Sequence, residues 1–178
     1  MSGRQVASGV KAFASSIVDT YNPKASLLPR LYHRVLTGFY LSQIKGSFMD
    51  FSKSGFPTTA LSIYTKLRES AKKNDKTALQ DLLTLPNYDL FKMCLKNHKP
   101  LPYHLYKTVA QAKIVHCSLT SEKGNQVESQ TFAHITVLFR CQSDSGEPRT
   151  QLGIYERRID NKEPYSWKIA FIEDQRED

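Results

Sequence analysis

Between Thr131 and Cys141 apolar and mixed positions alternate. Ala133, Ile135, Val137, Phe139 and Cys141 form one row; Phe132, His134, Thr136, Leu138 and Arg140 form the other. A period of two with β-branched and aromatic residues predicts a strand with one dry face. The second row is half apolar, which predicts partial cover there too. The same period starts at Lys107, where Ala110, Ala112 and Ile114 stand against Val115, Cys117 and Leu119. That pattern predicts a long first strand with a face switch or bulge near Ile114-Val115. Polar turns are expected at Glu122-Lys123-Gly124-Asn125, Ser143 to Pro148 and Asp160 to Pro164. A third strand over Gln151–Ile159 puts Leu152 and Ile154 on one face and Tyr155 and Ile159 on the other. A fourth alternates through Tyr165, Trp167, Ile169 and Phe171. Four strands joined by short turns predict an antiparallel meander.

Before Pro102 the spacing is helical. Val6, Val10, Phe13 and Ile17 make one stripe, with Arg4 and Lys11 opposite and no acid before Asp19. This basic, serine-rich pattern fits a mitochondrial targeting helix and, equally, an ordinary amphipathic helix at a chain end. A second helix is expected from Leu27 to about Ile44, capped by Ser26 with Pro29 in its first turn. Leu28, Leu31, Tyr32, Val35, Phe39 and Tyr40 give it a broad apolar face. That face suits a core, a partner protein, a membrane interface or an RNA surface. The connector Gly46–Pro57 carries Phe48, Met49, Phe51 and Phe56 and divides an extension (1–56) from a domain (57–178). A third helix opens at Pro57, capped by Thr58 or Thr59, with Ala60, Ile63, Tyr64, Leu67 and Ala71 inward. Two short helices follow: Thr77–Thr84 after Asn74-Asp75, with Leu79, Leu82 and Leu83 inward, and another from Pro86-Asn87, with Leu90, Phe91 and Cys94 inward. Helices followed by an antiparallel meander predict an α+β class, the N-terminal helices packing on a curved four-stranded sheet.

Length and composition narrow this further. A chain of 178 residues with 40% hydrophobic content supports one real core. Cys94, Cys117 and Cys141 are an odd number at unrelated spacings, which predicts reduced thiols. No apolar run approaches the ~20 residues of a membrane-spanning helix. The net charge of +8 is unevenly spread: residues 1–56 carry +5, 57–106 carry +4, 107–172 carry +2 and 173–178 carry −3. Cations thus concentrate in the first half, where RNA or an acidic lipid surface would be met.

The candidate chemistry is thin. Cys94, His98 and His104 straddle two prolines at spacings that match no closed zinc motif. His116 and Cys117 are adjacent in a strand and point to opposite faces. His134 lies on the mixed face of the central strand, expected near Tyr155 or Trp167, and there a general acid or base could operate. Glu156, between its neighbours and Arg157-Arg158, reads as part of a solvent-facing ladder rather than a partner. No phosphate loop, nucleophile elbow or carboxylate pair occurs. No RNA-binding module occurs either, which leaves scattered Lys and Arg suited to backbone phosphate. No enzyme activity, metal, cofactor or small-molecule substrate is expected.

The segments from Ala60 to Leu79, Ala112 to Leu119, Ala133 to Phe139, Leu152 to Arg157 and Ser166 to Ala170 occur in an order that resembles a known family. It is the family of Tim forty-four-like domains: the C-terminal domain of the matrix-side import-motor subunit and, more closely, the mitochondrial large-subunit ribosomal proteins of the forty-five class, called the membrane-associated biogenesis factor in yeasts. The resemblance spans roughly residues 57–172. It implies a cone-shaped sheet like that of nuclear transport factor two. It also implies a matrix location near the polypeptide exit of the large subunit, with contacts to rRNA, neighbouring ribosomal proteins, the inner-membrane surface and the insertase. An import-motor-like peripheral membrane adaptor is the alternative, and a small cone-cavity enzyme or ligand binder a third. Contacts to rRNA or anionic membrane are expected at Lys24, Arg30, Arg34, Lys45 and Lys53 in the extension, and at Lys66, Lys72, Lys73 and Lys76 on the following helix and its end.

Overall fold

The computed structural model describes residues 27–123, 129–159 and 166–175. Within them lie four helices, α1 (Leu27–Ser47), α2 (Phe56–Lys73), α3 (Lys76–Leu82) and α4 (Leu85–Lys96). Four strands follow: β1 (Thr108–Lys123), β2 (Ser129–Gln142), β3 (Pro148–Arg158) and β4 (Lys168–Gln175). The strands form one antiparallel sheet in the order β1-β2-β3-β4, so the class is α+β as the periodicities predict. The stripe Val6–Ile17, Ser26, Gly124-Asn125, the turn Asp160–Pro164 and Tyr165 lie outside the described residues.

The row Ala133, Ile135, Val137, Phe139 and Cys141 is buried along its whole length. It seals the sheet under the helices: the Phe139 ring packs on Tyr64 of α2 at 5.1 Å, and the Tyr155 hydroxyl donates to the Ala60 carbonyl at 2.8 Å. The face switch expected in the first strand is a bulge at Val115, since Ile114 pairs Val137 while His116 pairs Thr136. A second bulge at Ala110 was not anticipated. In β4 a further irregularity at Ala170 breaks the expected alternation. Trp167 and Ile169 point to the helices, but Phe171 pairs Ile154 on the opposite face and Ile172 takes the buried place.

Two helix starts differ from expectation. α2 begins at Phe56, one turn before Thr58 or Thr59 could cap it, because Gly55 accepts from the Thr58 and Thr59 N–H groups at 3.1 and 3.2 Å. Burial of Phe56 against Trp167, at 4.9 Å between rings, draws this first turn into the core. α3 is capped as expected, Asp75 accepting from the Ala78 N–H at 3.1 Å. In α4 Phe91 is buried and Cys94 half-buried, but Leu90 is exposed. A helix this short turns only a narrow stripe inward.

The joint between α3 and α4 closes the β4 edge. Leu83 bridges Ile169, and the Ile169 carbonyl accepts from Thr84 N–H at 3.1 Å and from the buried Asn87 amide at 3.1 Å. At the other end the connector is drawn into the core. Phe48 and Phe51 pack on Trp167, and Arg157 of β3 lies over the Phe48 ring at 4.1 Å while pairing with Asp50 at 2.9 Å.

Candidate functional site

The first candidate surface is α1. Its sequence holds two apolar rows, and only one can face β1. Leu41 and Ile44 take that place, while Leu31, Tyr32, Val35 and Phe39, the row expected to dominate, are each more than half exposed. The helix contains no Asp or Glu, and Arg34 and Lys45 are exposed. Successive residues advance by about 100°, so Arg34 and Lys45 share one flank, roughly a quarter turn from the exposed row.

The basic residues singled out in the sequence separate into groups. Lys24 and the Arg30 side chain lie outside the described part. Lys66, Lys72 and Lys73 are exposed on α2, and Lys76 opens α3. Glu69 lies among the α2 lysines on the outward surface, and Asp75 precedes Lys76, so local carboxylates dilute this patch. Lys72 and Lys73 also occupy the last turn, where cations offset the helix dipole. Arg68 of the same helix is engaged structurally, donating to the Lys107 and Tyr106 carbonyls at 2.6 and 3.4 Å.

Lys45 and Lys53 behave differently, because the fold brings them together. They border a cleft of about 590 Å³ between the end of α1, the connector and β1, lined also by Phe51, Ser52, Ser54, Pro57 and Ala112–Ile114. The β1 stretch that lines it lies between the bulges at Ala110 and Val115, which re-aim that stretch relative to β2. Lys113, in the middle of the stretch, adds a third ammonium that sequence reasoning passed over. No carboxylate lines the cleft, and none of the three lysines has an ion pair among the described residues. Lys53 acts on β1 itself: burial pushes the Cys117 thiol up to about 12, and the Lys53 charge opposes that shift.

His134 departs from its expected setting. Tyr155 and Trp167 are on the helix side of the sheet, whereas His134 is on the other side opposite Glu156. Its Nε2 lies 2.9 Å from Glu156 Oε2, and its Nδ1 lies 3.3 Å from the Thr120 hydroxyl. Glu156 is therefore a partner carboxylate and not a rung of a solvent ladder; the pairing register of β2 and β3 decides this. With both ring nitrogens engaged, the imidazole is held as a cross-strand link between three strands. Among the described residues no cluster of His, Cys, Asp and Glu is suited to a metal ion. No described helix is long and apolar enough to cross a membrane.

No known family model matches the chain, and no curated protein matches it at a significant level.

Proposed function

We propose that this chain is a non-enzymatic structural component of the mitochondrial large ribosomal subunit near the polypeptide exit, helping to tether the ribosome to the inner membrane. The observation that carries the reading is α1. This helix has no acid, buries one row on β1 and presents a second apolar row with cationic neighbours to its surroundings. A surface of that kind suits neighbouring proteins and rRNA within an assembly. The resemblance over residues 57–172 supplies the compartment and the subunit, and a cone-shaped sheet belongs to the same proposal. Sedimentation of salt-washed mitochondrial lysate tests it. The chain is expected with the large subunit, and recovery wholly at the top of the gradient refutes the reading.

The exposed row also favours a second reading, a peripheral inner-membrane adaptor of the import-motor kind without ribosome. That reading requires co-purification with chaperone and translocase, and binding to cardiolipin-rich liposomes that survives RNase. Crosslinking mass spectrometry in intact mitochondria separates the two by their neighbours.

A further inference from the structure

We propose that the cleft bounded by Lys45, Lys53 and Lys113 seats a backbone phosphate of single-stranded RNA. This rests on reading the chain as an rRNA contact, and it gives that contact a place. Three ammonium groups reach the cleft from three separate elements, the last turn of α1, the connector and the bulged stretch of β1. All three lysines are exposed, so their stems can turn toward a phosphate as mobile point charges. Ser52 and Ser54 place exposed hydroxyls 3.1 Å apart beside them, and serine hydroxyls are common phosphate partners.

Phe51, Pro57, Ala112 and Ile114 contribute an apolar lining. Low polarity near the ammonium groups strengthens their attraction for an anion. The volume of about 590 Å³ admits a phosphate with its sugar. The start of α2 adds no donors, because the N–H groups of Phe56, Thr58 and Thr59 already serve the Ser52 and Gly55 carbonyls. The lysines therefore carry the recognition.

Two comparisons within the molecule favour RNA at this place. The α2 patch has as many lysines but holds Glu69 among them, which repels a phosphate. A bilayer contacted by the exposed row of α1 would not face the cleft, since Lys45 lies about a quarter turn away on the same helix.

The test uses the full chain and a fluorescently labelled single-stranded oligouridylate, with anisotropy followed over a salt series. K45A/K53A/K113A is compared with K66A/K72A/K73A, which removes equal charge from α2. Each lost phosphate contact to a single strand flattens the salt dependence by about 0.7. The cleft triple is therefore expected to lower the slope by about two and the affinity at least tenfold, with the α2 triple losing much less. Lys113→Glu alone is expected to weaken binding more than Lys113→Ala. Unchanged melting temperatures certify that both triples are folded. Equal losses in the two triples, or no loss in the cleft triple, overturn the proposal. It also fails if the cleft triple abolishes flotation with phosphatidylglycerol vesicles and leaves oligouridylate binding intact. If the cleft result holds but the chain does not sediment with large subunits, the ribosomal reading fails and the phosphate seat stands.

Discussion

Gly153 offers the sharpest check on the core, because two opposing effects there differ in sign. It lies on β3 opposite Val137 and Ile172, on the side that faces the helices. A methyl group at this position would lie 2.9 Å from Phe139 Cε2 and 3.2 Å from Tyr155 Cε2. Neither ring can yield freely: both are fully buried, Phe139 packs on Tyr64, and the Tyr155 hydroxyl is tied to Ala60. In an open strand, alanine in place of glycine would stabilise by about 0.5–1 kcal/mol through lower chain entropy. Overpacking of a tight core costs about 1–3 kcal/mol. The contact therefore wins, and Gly153→Ala should destabilise by a net of about 1–2 kcal/mol. That corresponds to a fall in Tm of about 2–8 °C for a domain of this size. Urea unfolding followed by the emission of Trp167, the only tryptophan, measures the effect. In a Phe139→Leu background the Cε2 atom is gone and the alanine penalty should shrink or reverse, a coupling of about 0.5–3 kcal/mol. A Gly153→Ala protein as stable as the parent would refute the packing argument.

Phe56→Ala should cost about 3–5 kcal/mol and shift Trp167 emission to the red; unchanged emission would contradict the ring contact at 4.9 Å. Burial pushes the Cys117 and Cys141 thiols up to about 12, so at pH 8 a thiol reagent should label only half-buried Cys94 until denaturant is added. Rapid native labelling of all three would contradict the core placement. Hydrogen bonding from Arg157 holds the Asp50 carboxyl below its ordinary value of 3.8. A lowered folded-state pKa stabilises fully above that value, and the stability is lost as pH falls through the folded one. Asp50→Asn should therefore lower stability at neutral pH, by less than about 1 kcal/mol because Asp50 is solvent-screened, and the difference should vanish in acid. A difference that grows in acid would refute the pairing.

Local pattern was enough for much of this architecture. The row from Ala133 to Cys141 alternates too regularly for anything but a strand with one dry face, and the bulge at Val115 shows as two apolar neighbours where alternation demands one. Asp75 announces its helix through capping chemistry that acts over three residues. These signals are legible because strand period and cap geometry belong to near neighbours in the chain. The rotation of α1 was not legible, since both of its rows are apolar and only contact with β1 selects Leu41 and Ile44 over Leu31 and Val35. Glu156 became the partner of His134 only when β2 and β3 paired in one register. The cleft is the clearest case. Lys45, Lys53 and Lys113 are far apart in sequence, and each alone resembles any solvated lysine. Only the docking of α1 and the connector against β1 places three like charges around one cleft, because the apolar burial of Ile44, Phe48 and Phe51 outweighs the weak, water-screened repulsion between them.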